Sequence, residues 1–282
     1  MKKISYSYTN TIIGIIVAVF SFVIFSLTVE PTASYWDCSE YISTSAKLQV
    51  GHPPGAPLFQ MLGAIFSTFA FESDQIAFSV NMMSVTSSAL TILFLFWSIS
   101  YLIKQQCELD EDPISINEAF KIFGSSILGC LTFTFTDSFW FNAVEAEVYA
   151  MATLILSLLF WLGLKWVDNL DSKRGDKWLI LICFVVGLSF GVHFMGLLAI
   201  PAIGLLYYFK KYSFSIKSFL LANIVSISIL LFIFKLLLPS TLSIFGYIEV
   251  FFVNEIGLPF NFGTIFSAIS MILIIYYILN RS

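Results

Sequence analysis

"APLFQMLGAIFSTFAF", Ala56 to Phe71, is apolar enough to enter a bilayer, and whether it crosses decides the topology of everything that follows. Its 16 residues fall short of the roughly 20 that a helix needs to span about 30 Å of hydrocarbon. Counted as a crossing, it would move every later loop to the opposite side and spoil the distribution of Lys and Arg. It reads instead as an interfacial or re-entrant helix inside a first outer loop that runs from Glu30 to about Gln75.

Longer apolar runs lie on either side. The pattern predicts eight crossings: Thr11 to Val29, Ile76 to Ile103, Ile122 to Phe141, Val148 to Val167, Trp178 to Val192, Gly196 to Phe209, Phe219 to Leu238 and Thr264 to Asn280. The fifth and sixth are short and stand between Lys173, Arg174, Lys177 and Lys210, Lys211, Lys217. A hairpin that returns both basic clusters to one side explains this, with His193 at its outer tip. With this parity Lys2, Lys3, Lys104, Lys121, Lys165 and Arg281 join those clusters in the cytoplasm, making 12 of the 14 basic residues. Lys47 lies outside and Lys235 near the outer end of the seventh run. The skew places both termini in the cytoplasm. The expected fold class is an all-α polytopic transmembrane bundle, one domain over residues 1–282 with its long outer loop at 30–75.

Composition supports this reading. The chain is 58% hydrophobic and 11% charged, which excludes an ordinary soluble domain. A net charge of −4 without a basic stripe argues against a nucleic-acid partner. Cys38, Cys107, Cys130 and Cys183 have no paired spacing, so neither a disulfide framework nor a zinc site is expected. The first apolar run has no small-residue cleavage site before Glu30 and reads as an anchor.

Acidic residues point toward function. Glu108, Asp110, Glu111, Asp112 and Glu118 read as a solvated cytoplasmic face. The outer side collects Glu30, Asp37, Glu40, Glu72, Asp74, Asp137, Glu145, Glu147, Glu249 and Glu255, several at span ends where a charge needs a partner or a task. Three outer segments carry the candidates. The first holds Trp36, Asp37, Glu40 and His52. The second, "TDSFWFNAVEAEVYA", holds Asp137, Asn142, Glu145, Glu147 and Tyr149. The third holds His193.

Asp37 and Glu40 are three apart, so both carboxylates share a helix face if Asp37 opens a helix. Their repulsion would raise the proton affinity of one and make it a general base. The competing reading is a capping box, with Asp37 as N-cap and Glu40 at N3. "GHPPGAP" is a rigid loop in which prolines fix φ and glycines permit tight bends. His52 there suits a phosphate or metal, or a bond to a carbonyl. Glu145 and Tyr149 share a face at i, i+4, although acids in a first turn also suit the helix dipole. No compact metal-ligand cluster is present. A divalent cation on Asp37, Glu40 and Glu145 is the weaker reading, because oxygen sites leave no compact signature.

"YWDCSEYISTSAKLQVGHPPGAPLF", "DSFWFNAVEAEVYAM", "GLSFGVHFMGLLAIPAI" and "NEIGLPFNFG" together resemble the signature segments of a bacterial membrane family. That family is grouped with the protein O-mannosyltransferases of the GT-C glycosyltransferase class, and the similarity runs from about Thr11 to at least Gly263. The resemblance implies a multi-pass enzyme that moves a sugar, typically mannose, from a polyprenyl-phosphate lipid to a Ser or Thr hydroxyl of an acceptor protein on the outer side. It also implies an essential acid in the first outer loop, a position that Asp37 matches with Glu40 as partner. Trp36, His52, Asp137, Asn142, Glu145, Glu147, Tyr149 and His193 are the expected substrate-binding set. Longer relatives carry a soluble C-terminal region that this chain is expected to lack. An N-terminal fragment dependent on a partner chain is therefore one alternative. A transporter or lipid flippase is another, disfavoured because no inverted repeat is evident and mid-span charge is scarce.

Overall fold

The computed structural model describes residues 3–109, 112–173 and 175–280. Lys2, Asp110, Glu111, Arg174 and Arg281, used in the charge reading above, lie outside them. The chain is 77% helical and forms an all-α polytopic bundle. Its contacts divide it into two compact units, residues 1–215 and 216–282.

In the first unit, a two-residue strand β1 (Lys3–Ile4) leads into α1 (Tyr6–Leu27). Next come α2 (Cys38–Lys47), α3 (Pro57–Ser67) and α4 (Ile76–Gln106). A second short strand β2 (Ile114–Ser115) pairs antiparallel with β1, and α5 (Ile116–Thr134), α6 (Asp137–Ala143) and α7 (Val148–Asp168) follow. The unit closes with α8 (Asp176–Ser189), a 3-10 turn at Phe194–Leu198 and α9 (Ala199–Lys211).

The 31-residue α4 is the hub, packing on α1, α2, α3, α5, α6 and α7. Its buried positions include Ser79, Ser84, Ser87, Ser88, Ala89, Thr91, Ser98 and Ser100. Apolar lipid gives helices no solvophobic reason to associate, so close approach of small side chains supplies dispersion contact instead. Ser87 and Thr91 return their hydroxyls to the carbonyls of Met83 and Ser87, at 2.8 and 3.0 Å, and so carry no unmet polarity into the interface. Beside this seam, Phe25, Ile92, Phe96, Ile122, Phe123 and Phe139 form a buried cluster that joins α1, α4, α5 and α6.

Among the described residues, five helical stretches are long and apolar enough to cross a membrane: Tyr6–Leu27, Ser73–Gln106, Val148–Asp168, Phe194–Lys211 and Ile216–Asn254. The expected third crossing, Ile122 to Phe141, is broken into α5 and α6, bent by 70°. If that pair is one span the count is six, against the eight expected. The expected fifth crossing corresponds to α8, which has only 14 residues, and the expected eighth falls on a shorter apolar helix. Ala56 to Phe71 contains the 11-residue α3, too short to span, as its length required.

The acidic stretch before α5 is not merely a solvated face. Asp112 accepts from the Tyr6 and Ser7 amides at 2.9 and 3.3 Å, satisfying orphan donors at the start of α1. Those bonds, led by the one from Tyr6, hold its carboxyl below the usual range. Ser115 and Glu118 form a reciprocal capping box on α5. At the same end, Lys211 pairs with Asp171 at 2.5 Å, tying the last turn of α9 to the loop before α8.

In the second unit, α10 (Ile216–Phe232) passes through a π segment (Ile233–Leu237) into α11 (Leu238–Asn254), and α12 (Phe262–Leu279) packs on α11. The expected break after Leu238 is absent, so Glu249 sits on a helix. Its carboxylate accepts from the Asn261 and Thr264 amides at 2.6 and 2.8 Å and anchors the start of α12.

Candidate active site

The site begins with the amphipathic pattern of α2, which buries Cys38, Tyr41, Ile42 and Ser45 and leaves its acids on the other side. Leu48, at φ 49°, ends the helix in a left-handed turn, and the Gln49 amide returns to the Thr44 carbonyl at 2.8 Å. The chain then doubles back over α2. Gly55, at φ 84°, makes the bend that a side chain would resist, and its amide bonds the His52 carbonyl at 2.8 Å.

His52 is thereby laid across both acids of α2. Glu40 Oε1 accepts the His52 backbone N–H at 2.6 Å, and its Oε2 lies 3.2 Å from Nδ1. Asp37 Oδ2 stands 3.6 Å from Nε2. The Tyr41 ring supports the imidazole at 5.8 Å between centroids and meets Phe59 at 5.1 Å. The capping-box reading of this pair fails: the Asp37 side chain makes no cap bond, and Glu40 spends both oxygens on His52.

The second segment enters at the head of α7. Glu147 is its N-cap, so Glu145 lies outside the helix and does not share a face with Tyr149. Glu145 is buried beside Ser34, and burial raises its carboxyl. Glu147, 6% exposed, is pushed up to about 7, first by burial and then by the charges of Asp37 and Glu145. Its Oε1 has no hydrogen-bond partner among the described residues.

The third segment is the tip after α8. The Gly191 carbonyl accepts from Leu58 and Phe59 at 2.8 and 3.2 Å, capping an α3 that has no side-chain cap of its own. Any Cβ on Gly191 would meet that of Leu58 at 2.7 Å, so the tip and α3 touch because this residue is bare. His193 Nδ1 accepts the Met195 amide at 3.2 Å. That bond puts the proton of neutral His193 on Nε2, and burial lowers its pKa and favours the neutral form. The Tyr149 ring packs on it at 5.4 Å.

These segments close around a cavity of about 140 Å³ lined by Asp37, Tyr41, His52, Glu147, Tyr149 and His193, among others, and by no Lys or Arg among the described residues. Glu40 lies behind His52. Trp36 is 86% exposed, Asp137 is exposed at the first turn of α6, and Asn142 bonds the Ser138 carbonyl at 2.8 Å. These three, with Glu145, do not line the cavity. Tyr41, Phe190 and Phe194 line it without having been singled out. Tyr41 could have been found, because it stands one helical turn after Asp37. Asp37, Glu40 and His52 each offer a ligand atom, all within 4.8 Å of one another, whereas Glu145 is not in that group.

A second, apolar cavity of about 520 Å³ begins nearby, lined by Leu95, Phe133, Thr153, Leu156 and Leu198 among others. Thr153 is one helical turn beyond Tyr149 on α7, and Leu198 is the last residue of the turn that begins at Phe194.

Comparison with known proteins bears on this arrangement. A protein O-mannosyl-transferase TMEM260 of Mus musculus is 28% identical over 178 residues, 61% of this chain and 22% of the relative. A protein O-mannosyl-transferase tmem260 of Dictyostelium discoideum is 24% identical over 157 residues, 55% of this chain and 17% of the relative. The aligned part thus spans about a fifth of these relatives' length. No solved structure matches. The profile of one family covers residues 37–216, more than half of the chain and every residue that lines the cavity, so the protein belongs to the Protein O-mannosyl-transferase TMEM260 N-terminal domain family.

Proposed function

We propose that this chain is a membrane glycosyltransferase of GT-C type that moves a sugar, typically mannose, from a polyprenyl-phosphate donor to a Ser or Thr hydroxyl of an acceptor protein on the extracytoplasmic side. The observation that carries the reading is the gathering of Asp37, His52, Glu147 and His193, from three distant segments, into one cavity beside an apolar one. An amphiphilic donor needs that pair: a polar pocket for the sugar phosphate and a greasy groove for the chain. The printed names of the relatives support sugar transfer to protein.

The cavity end of the bundle holds the C-terminus of α1 and the N-termini of α4 and α7. Lys104, Lys165 and Lys211 lie at the opposite ends of their helices. The bias of basic residues toward the cytoplasm supports an outward-facing cavity.

Asp37 is assigned as the base, with Glu40 holding His52 against it. As the acceptor oxygen bonds to the anomeric carbon, its proton passes to the Asp37 carboxylate, and the bond from that carbon to the phosphate oxygen breaks with its electron pair leaving on the phosphate. His193 Nε2–H is the donor for the departing phosphate. A single displacement inverts the anomeric centre. The test is to supply membranes containing the full chain with polyprenyl-phosphate mannose and a Ser/Thr peptide. The reading expects mannosylated peptide of inverted configuration; retention, or no product beyond control membranes, would overturn it.

A further inference from the structure

We infer that Asp37 and His52, the latter held in place by Glu40, bind a divalent cation at the wall of the candidate cavity. Three observations lead there. The first is geometric: the three side chains come from a single helix and the loop folded over it, and one ligand atom from each lies within 4.8 Å of the others. Two ligands of one cation, with bonds of about 2.1 Å, stand roughly 3.0–3.4 Å apart. His52 Nε2 and Asp37 Oδ2, at 3.6 Å, are within a small adjustment of that separation.

The second is the support of the ligands. Nδ1 of His52 is held by Glu40 Oε2 at 3.2 Å, and the backbone N–H of the same residue by Oε1 at 2.6 Å. Fixing the far nitrogen of an imidazole in this way orients Nε2 and keeps it basic, as the outer shell of a metal site does.

The third is charge. Glu147 lines the same cavity as Asp37, is only 6% exposed, and has a buried Oε1 that lacks a hydrogen-bond partner among the described residues. No Lys or Arg among the described residues lines that cavity. A site that gathers carboxylates and two imidazoles without a fixed positive charge calls for a mobile one. Imidazole with carboxylates suits borderline cations, and Mn²⁺ is the probe of choice.

The cation's role rests on the transfer reaction proposed above. It neutralises the phosphate that leaves, in a cavity that no Lys or Arg among the described residues lines. One oxygen of Asp37 holds the metal, and the other remains for the acceptor hydroxyl.

Binding is measured apart from transfer. The full chain, purified in detergent and stripped with EDTA, is titrated with Mn²⁺ and read by electron paramagnetic resonance. The expected result is one bound Mn²⁺ per chain, with pulsed-resonance modulation from a directly bound nitrogen. His52→Gln removes that modulation while His193→Gln keeps it, and Glu40→Gln weakens binding at least ten-fold. Near-ultraviolet circular dichroism identifies folded variants, and the nitrogen modulation of the unaltered chain reports without any variant. Binding well below one equivalent, no nitrogen modulation, or modulation that survives His52→Gln overturns the inference. Mn²⁺ binding without sugar transfer would sink the proposed function and leave the metal site standing. Transfer unaffected by EDTA, with no Mn²⁺ bound, would do the reverse.

Discussion

Asp37 and Glu40 look alike in the sequence, three residues apart on one short helix, yet the fold gives them different tasks. Asp37 lines the cavity, whereas Glu40 turns both oxygens to His52. Glu40→Ala therefore releases His52 at the cost of two hydrogen bonds, a loss of about 1–3 kcal/mol with a correspondingly lower melting temperature. Transfer should fall with it, because the loop no longer holds the imidazole; calorimetry and the peptide assay on the same preparation check both. The two readings of Asp37 could not be separated by spacing, since a capping box and a paired acid require the same interval. Only the path of the chain through Gly55, which brings His52 back over α2, decides between them. Glu145 was misread for a related reason. Its i, i+4 relation to Tyr149 holds only inside a helix, and α7 begins three residues after it.

At the scale of elements, the long helices were legible because a bilayer imposes a minimum length and an apolar composition. The 70° break between α5 and α6 was harder to see, because aromatic residues resume at Phe139 and mask the helix-start signal of Thr136, Asp137 and Ser138 at the bend. The contact of α3 with the tip after α8 was likewise hidden, since it depends on Gly191 having no side chain. Gly191→Ala should force the 2.7 Å approach to Leu58 apart at a cost of about 1–3 kcal/mol, lowering the melting temperature and loosening the tip that carries His193. Hydrogen exchange at the Leu58 and Phe59 amides would register the loss of their Gly191 acceptor. At the other end of the bundle, Asp112 couples the start of α1 to the loop before α5. Its carboxyl lies below the ordinary Asp value of about 3.9, so it contributes stability above that value and loses it as pH falls through the lowered pKa in the folded chain. Unfolding midpoints followed downward from pH 5 should decline more steeply in the unaltered chain than in Asp112→Asn, which already lacks that carboxylate.

For the whole molecule, sidedness is the claim on which the transfer reading stands. The sequence expressed it through Lys and Arg alone, and three of those residues, Lys2, Arg174 and Arg281, lie outside the described structure. The remaining pattern holds together physically: Lys211 pairs with Asp171, and Lys104 lies over the Tyr6 ring at 4.8 Å, both far along their helices from the cavity end. Cys107, exposed just past the C-terminus of α4, provides a native reporter. A membrane-impermeant maleimide added to intact cells should leave Cys107 unlabelled until the membrane is permeabilised, while a cysteine placed at exposed Asp137 should react at once. The reverse pattern would put the cavity in the cytoplasm. The measurement that reaches the central claim most directly compares two isosteric changes, Asp37→Asn inside the cavity and Asp137→Asn outside it, in the transfer assay at equal membrane levels. The account predicts a loss of at least about 10²-fold for the first and near-normal turnover for the second; equal activity in both, or a loss confined to Asp137→Asn, would contradict it.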